Sequence, residues 1–373
     1  ILFDSSGNSV ENMRDILRRA KPGTAIGVCG WRVGELKALP DEILSTLCDV
    51  FDLIEQVGEW PEALRIGIIS MVPKADGGLS PKDLRPISVM STVYRLWAAM
   101  KCREVLVWQE LWATDALTGF RLDLSCEDSF WTLALDVEQA SMNHEGLCGI
   151  SVDFEKAFDR VPWEHIFELG RAAGLPSAIL RPLEGMYSTL VRHFRIGGMV
   201  GRGFFSTNGI LQGCPLSIVM LNLLMQVWAS AVEAESGCKA RCYADDAQAS
   251  GKRPASINTV IATTQSFCDL TGMRMNVPKS HTWATETNLR NELQGICIQG
   301  EELMCVASDR FLGAQMAFTR QHTGNRDTAK RRREAEAVLL RISSVPLPLE
   351  ARAQLVEILV NTKILFDTSV TSL

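Results

Sequence analysis

The chain has 373 residues, of which 46% are hydrophobic and 22% charged, with a net charge of −6. That balance is typical of a folded globular protein with room for two or three packed subdomains, and it excludes a disordered or low-complexity chain. The acidic excess argues mildly against a uniformly basic nucleic-acid surface, although a cleft that holds metal ions must itself be acidic. In chain order, Glu35 to Val57 has helical apolar spacing, broken at Pro40 with Asp41 as a start signal. Arg65 to Val72 reads as a strand and Lys74 to Pro81 as a loop rich in Gly, Pro and Asp. Ser88 to Trp112 returns to helical spacing, with Val93, Leu96, Trp97, Met100 and Leu106 as the buried stripe.

The centre is more regular. Gly146 to Val152 is a short buried strand leading to Asp153, followed by a helix opened at Pro162 and closed at Gly174. A second helix spans Ser177 to Tyr187, and His193 to Phe205 has the pattern of a glycine-turned hairpin. Gly213 to Val232 is apolar enough for a buried helix. Its Asn222, Gln226 and Ser230 fit that better than a membrane span. Lys239 to Ala249 is expected to be a hairpin with Asp245-Asp246 at its apex, and Ser256 to Leu270 a helix ending at Gly272. Short strands are expected at Met273 to Asn276 and Arg310 to Gln315, then helix to Leu373. Cys238 and Cys242 lack partners at zinc spacing and read as reduced thiols of an intracellular protein. No signal peptide opens the sequence, and its ends read as those of a piece of a longer protein.

Strand, helices, hairpin, helix and strand in that order match a split β-α-β plan, an antiparallel sheet backed by helices. Asp153 would then end one strand beside the Asp245-Asp246 hairpin. Adjacent acids at a turn mean little alone, since Asp favours turns. If the two strands are neighbours, the acids converge, and like charges so placed need cations between them. Magnesium suits a few carboxylates completed by water and phosphates.

Six strings then carry a resemblance. PKDLRPISVMSTVYRLWA (81–98), VDFEKAFDRVPW (152–163), LQGCPLS (211–217), YADD (243–246), TGMRMNVPKS (271–280) and RFLG (310–313) occur in this order over most of the chain. Together they resemble the motifs of reverse transcriptases, most closely those of non-LTR (LINE-type) retrotransposons and their group II intron relatives. The resemblance implies an α+β right-hand polymerase with a split β-α-β palm and helical fingers and thumb. Its divisions would be an N-terminal extension (1–57), fingers (58–145), palm (146–318, with a fingers insertion near 177–225) and the start of a thumb (319–373). It implies RNA-directed DNA synthesis with two Mg2+ ions, Mn2+ being a possible substitute. RNA template, DNA primer and deoxynucleoside triphosphates would be the partners, without a membrane. Nuclear residence would follow for the full-length element protein.

The implied roles make physical sense. Asp153 and Asp245 would hold the metals with the main-chain carbonyl of Phe154, while Asp246 would either join them or orient the hairpin. Lys279 would serve as a general acid for pyrophosphate. Arg85 would grip the triphosphate, with Lys74 as its companion or as a solvated loop lysine. Phe158 would be a gate against a 2′-hydroxyl, or else plain core. Gln212 and Gly213, at the start of a helix, would meet the template–nucleotide pair. Tyr243, Ala244, Phe311, Leu312 and Gly313 would support the primer end, and the basic run Arg326 to Arg341 would track the hybrid backbone.

Three positions depart from the family pattern: Ile218 replaces a second proline, Ala247 to Ser250 is less apolar than usual, and Cys29 stands where Asp is common. Three other readings compete. An RNA-dependent RNA polymerase is opposed by Phe158 and the YADD tip, and a nucleotide cyclase would lack the motif around Arg85. An idle RNA-binding scaffold is opposed by the retained acids.

Overall fold

The structure, a computed structural model, describes residues 7–73, 80, 83–319 and 326–362. Three helices come first: α1 (Val10–Arg19), α2 (Val33–Ala38) and α3 (Asp41–Val57). Strands β1 (Ile66–Pro73) and β2 (Leu84–Val89) precede α4 (Thr92–Gln109) and α5 (Cys126–Met142). β3 (Cys148–Asp153) leads through α6 (Ala157–Arg160), α7 (Trp163–Ala172) and α8 (Ser177–Thr189) to strands β4 (Val191–Ile196) and β5 (Met199–Val200). Helix α9 (Ser217–Ser236), strands β6 (Lys239–Tyr243) and β7 (Asp246–Gly251), helix α10 (Pro254–Thr271) and strand β8 (His281–Ala284) follow. Then come α11 (Thr287–Leu293), β9 (Cys297–Ile298), β10 (Glu301–Glu302), β11 (Met304–Val306), β12 (Ser308–Phe311) and β13 (Ala314–Ala317). The last two α-helices are α12 (Arg326–Ser344) and α13 (Leu349–Val356), followed by a π-helical turn, Glu357–Asn361.

These elements form two compact units. One comprises Ile1–Leu122, Glu155–Trp228 and Phe267–Arg274, the other Asp123–Phe154, Ala229–Ser266 and Met275–Leu373.

The first unit contains a four-stranded sheet of order β2-β1-β4-β5, in which β1 pairs antiparallel with β2 and parallel with β4. Beside it, aromatic rings anchor the helices. Trp60 meets Tyr94 and Trp97 edge-on, each at 5.2 Å. Its indole donates to the carbonyl of Pro182 at 2.8 Å, fixing α8. Trp97 donates to Glu55 at 2.8 Å, and Lys101 pairs with the same carboxylate at 3.1 Å, so these three polar groups satisfy one another. Asn222 of α9 is buried and donates to Gln109 at 2.9 Å and to the carbonyl of Gly119 at 2.8 Å, as a core helix does. Cys29 accepts the main-chain N–H of Thr92, the first residue of α4, at 3.3 Å. Burial pushes that thiol up. Donors from Ser91 and the main chain of Trp31, Thr92 and Val93 outweigh it and hold the thiol below its ordinary value. An aspartate would satisfy the same helix donor.

The second unit is built on a five-stranded sheet of order β11-β8-β3-β7-β6. β3 pairs antiparallel with both β7 and β8, and β7 antiparallel with β6. β3 and β6 therefore run the same way with β7 between them, which is the expected split β-α-β plan. The outer strand β11 adds a parallel pairing with β8, so the sheet is mixed. Against it, Phe130 and Leu133 of α5 share a buried cluster with Trp283, Phe311, Met316 and Phe318. Trp283 stacks on Phe318 at 4.1 Å and lies over Gly149, where a Cβ would come within 2.4 Å of the indole. Only glycine fits there.

The polar strand after YADD has a structural reason. Gln248 and Ser250 accept hydrogen bonds from buried Arg241 at 3.0 and 2.9 Å. The same guanidinium reaches Thr132 at 3.2 Å and pairs with Asp136, both on α5. A charged anchor thus joins the apolar packing between helix and sheet.

Several expected elements shift. Ser88 and Val89 belong to β2, and the helix expected from Ser88 starts at Thr92, with Val105 and Trp108 buried where Leu106 is half-buried. The helix expected from Gly213 starts at Ser217, because Pro215 lacks an N–H and disfavours helical geometry before it. Met273 to Asn276 forms no strand, only an isolated bridge between Met275 and Phe154. The loop Lys74 to Pro81 falls almost wholly outside the described residues, as do 320–325 and 363–373.

Removing the partner of a buried charge is costly. Asp136→Ala should lower the unfolding free energy by roughly 3 kcal/mol, the low end for a broken buried pair. Denaturant unfolding followed by far-UV dichroism measures it, and a loss below about 1 kcal/mol would mean that Arg241 finds solvent instead.

Candidate active site

The candidate site begins with register. β3 and β7 pair so that Asp153 lies directly opposite Asp246, and β6 and β7 so that Tyr243 also faces Asp246. Directly opposed residues in an antiparallel pair carry Cβ atoms about 4.5–5.5 Å apart on one face. The hairpin turn consists of Ala244 and Asp245, with Ala244 at φ 54°. Asp246 is therefore the first residue of β7 and not the apex, because it takes part in the ladder with Tyr243.

The acids sense one another. Burial raises the pKa of Asp245, its own main-chain N–H opposes that, and Asp153 adds to the rise. Desolvation, then repulsion from Asp245, Asp153 and Asp309, pushes Asp246 up to about 6. Asp246 keeps an exposed side chain, so repulsion from the neighbouring acids weighs more there than burial. Among the described residues no Lys or Arg forms an ion pair with Asp153, Asp245 or Asp246. Nor do three or more His, Cys, Asp or Glu side chains stand ready as a complete metal cage. A few hard oxygen donors without a cation of their own fit a divalent ion whose remaining ligands are water and phosphate.

Asp153 is held from the other side by a turn. Asn276 donates from its side chain to Asp153 Oδ2 at 2.7 Å and from its main chain to the Asp153 carbonyl at 2.8 Å. The Ser280 hydroxyl accepts the Asp153 N–H at 3.0 Å and donates to the Asn276 carbonyl at 2.9 Å. Lys279 lies exposed in the same turn, where Val277–Lys279 forms a 3-10 helix. Phe154 is buried and bridges to Met275. In the motif TGMRMNVPKS the residue types point to Lys279 alone, whereas Asn276 and Ser280 are recognisable only from these bonds. Asp309 is a further acid beside Asp246, reached by the Ser151 hydroxyl at 3.3 Å. His281 Nε2 stands 2.8 Å from Asp309 but is not aimed as a donor, so the pair is a close approach and not a formed hydrogen bond.

The β12–β13 hairpin turns at Leu312 (φ 50°) and Gly313 (φ 88°), both left-handed as the tightest hairpins require. Phe311 is buried in the α5 cluster. Arg331 of the basic helix α12 donates to the carbonyl of Gly313, tying that helix to the turn. Lys330, Arg332 and Arg333 are exposed.

The remaining described site residues lie in the first unit. Arg85 is exposed on β2 opposite Val72, and Lys74 lies outside the described residues. Phe158 is half-buried in α6, and its carbonyl accepts the N–H of Ile210 at 2.7 Å. The carbonyl of Gln212 accepts from Ser88 of β2 at 3.0 Å, and its side chain donates to Asp159 at 3.3 Å. Gly213 has φ 118°, and a Cβ there would meet the Ser88 carbonyl at 3.0 Å, so glycine is needed. Gln212 and Gly213 sit in turns before α9 and not in its first turn, a correction to the expected helix start; Ile218 is the second residue of that helix.

Relieving the repulsion should stabilise the metal-free protein. The raised pKa of Asp246 means that its charge destabilises the fold fully above about pH 6. That cost fades as pH falls through 6 and is gone below the ordinary carboxylate value. In EDTA at pH 8, Asp246→Asn should raise the thermal midpoint by about 2–4 °C, allowing for solvent screening. The difference should vanish near pH 4, and an equal or lower midpoint at pH 8 would refute it.

Comparisons with known proteins bear on the family. The family described as reverse transcriptase (RNA-dependent DNA polymerase) matches residues 72–314. The Pol polyprotein of the type-2 retrotransposable element R2DM of Drosophila melanogaster is 26% identical over 244 residues, covering 62% of this chain and 22% of that protein. The RNA-directed DNA polymerase from mobile element jockey of the same species is 23% identical over 314 residues, covering 77% of this chain and 33% of that protein. The chain thus spans about a fifth to a third of the length of these relatives. A solved apo telomerase from Candida tropicalis, truncated from its C-terminal domain, aligns with a TM-score of 0.49 and 14% identity, covering 75% of this chain and 59% of that one. With the family matched over most of its length and with relatives among the non-LTR retrotransposons, the chain belongs to the reverse transcriptase family.

Proposed function

We propose that this chain is the RNA-directed DNA polymerase core of a LINE-type retroelement protein, adding deoxynucleotides to a DNA primer on an RNA template. The observation that carries the reading is the β3–β7 register, which sets Asp153 against Asp246 with Asp245 in the adjoining turn. Asp153 and Asp245, with the Phe154 carbonyl and Asp246 beside them, would hold two Mg2+ ions, for which Mn2+ can substitute. Such ions activate the primer 3′-oxygen and neutralise the departing pyrophosphate.

The same reading assigns the other roles. In the second unit, Asn276 orients the Asp153 carboxylate, Lys279 supplies a proton to pyrophosphate, and Tyr243, Ala244, Phe311, Leu312 and Gly313 support the primer end. The exposed cations of α12 follow the hybrid by charge. In the first unit, Arg85 and Lys74 bind the triphosphate, Phe158 opposes a 2′-hydroxyl, and Gln212 and Gly213 meet the template–nucleotide pair. On this reading residues 1–57 are an N-terminal extension, 58–145 fingers, 146–318 palm and 319–373 the start of a thumb. The full-length protein would prime on nicked target DNA in the nucleus.

Primer extension on an RNA template tests the reading. Asp245→Ala and Asp153→Ala should lower turnover by at least about a thousandfold, with hybrid binding within roughly threefold of the unaltered chain. Absence of magnesium-dependent extension by the unaltered chain would leave an RNA-binding scaffold instead. Phe158→Ala should raise ribonucleotide incorporation about tenfold or more, as expected when a steric block is removed. Unchanged sugar selectivity would take the gate away from Phe158.

A further inference from the structure

The first unit holds an acid that no role above uses. Asp159 follows Phe158 in α6, and its Oδ1 accepts the hydrogen bond from Gln212 Nε2 at 3.3 Å. The main chain brings the two together before their side chains meet. Ile210 donates to the Phe158 carbonyl at 2.7 Å and Gly209 to the Val161 carbonyl at 2.8 Å, sewing the approach to Gln212 onto α6 and its exit. Ser88 fixes the Gln212 carbonyl at 3.0 Å. What remains free to turn is the amide.

Burial holds the Asp159 carboxyl above its ordinary value, although Lys156, the Gln212 hydrogen bond, Arg192 and Arg160 oppose the rise by favouring its charged form. An ionised carboxylate only accepts hydrogen bonds. An amide facing it must turn its NH2 group inward, and its oxygen then lies on the far side. Without the carboxylate, the two amide orientations are close in energy, and half of them present a donor where an acceptor should be.

We infer that Asp159 is a positioning residue: it sets the Gln212 amide so that Oε1 is offered to a hydroxyl or amino donor of the template–nucleotide pair. The inference rests on the polymerase reading above. Phe158 and Gln212 are thereby parts of one rigid assembly in which sugar selection and pair recognition share a support.

A double-mutant cycle in steady-state extension on an RNA template tests it. Asp159→Asn keeps the shape but removes the acceptor-only character. It should raise the KM for the incoming deoxynucleotide about tenfold, with kcat within roughly threefold, as for one lost oriented hydrogen bond. Asp159→Glu should recover part of that loss. In a Gln212→Ala background, Asp159→Asn should add less than about twofold, because its effect passes through the amide. Multiplying losses in the double variant, or an unchanged KM in Asp159→Asn, would overturn the assignment while leaving the polymerase reading intact. No extension by the unaltered chain would overturn both. Thermal midpoints of the four proteins within about 3 °C separate positioning from a folding defect, and a larger drop in Asp159→Asn with equal loss in both backgrounds counts against the inference.

Discussion

The structure of the site depends on one constraint, the register between β3 and β7. Side chains alternate along a strand, so a slip of one residue would turn Asp153 to the opposite face and bury Val152 wrongly. The register holds because Ile150 and Val152 are buried and because Ala247 and Ala249 face them across the pair. Once it is set, carboxylates must stand together whatever their mutual repulsion. The acids do not hold the strands in place. The packing of the sheet holds the acids, and their repulsion is what a divalent cation relieves.

Support for that arrangement is spread through the second unit. Asn276 and Ser280 fasten Asp153 from the turn before β8. Arg241 and Asp136 lock β6 to α5 on the neighbouring side. Trp283 lies on Gly149, four residues before the end of β3, and joins the sheet to the β12–β13 hairpin through Phe318. A polymerase site needs its carboxylates fixed before substrate arrives, since reorganisation during the reaction adds to the barrier. Buried, hydrogen-bonded neighbours such as Ser280 and Arg241 provide that fixity.

Much of this was legible in the sequence. An apolar run ending in Asp153, and a second hairpin bearing paired acids, carry their own signal, and the ordered motifs supplied the rest. The strand with Arg85 was hidden by Pro86, which suggests an interruption. β2 lies at the edge of its sheet, where a residue without an N–H costs no ladder bond. β8 escaped notice because four residues beginning with His281 give no clear alternation. Asn276 was hidden for another reason. Its importance comes from a partner 123 positions away, which no local pattern reveals. Likewise Gln248 and Ser250 looked like drift from an apolar strand until Arg241 was found facing them.

The central claim is that Asp153 and Asp245 gather to hold divalent cations, and manganese resonance tests it most directly. The chain would be titrated with Mn2+ on an RNA template whose primer ends in a dideoxynucleotide, with the next deoxynucleotide present, and bound ion read by electron paramagnetic resonance. The account predicts protein-dependent Mn2+ binding that largely disappears in Asp153→Asn/Asp245→Asn. Equal occupancy in that variant would contradict it.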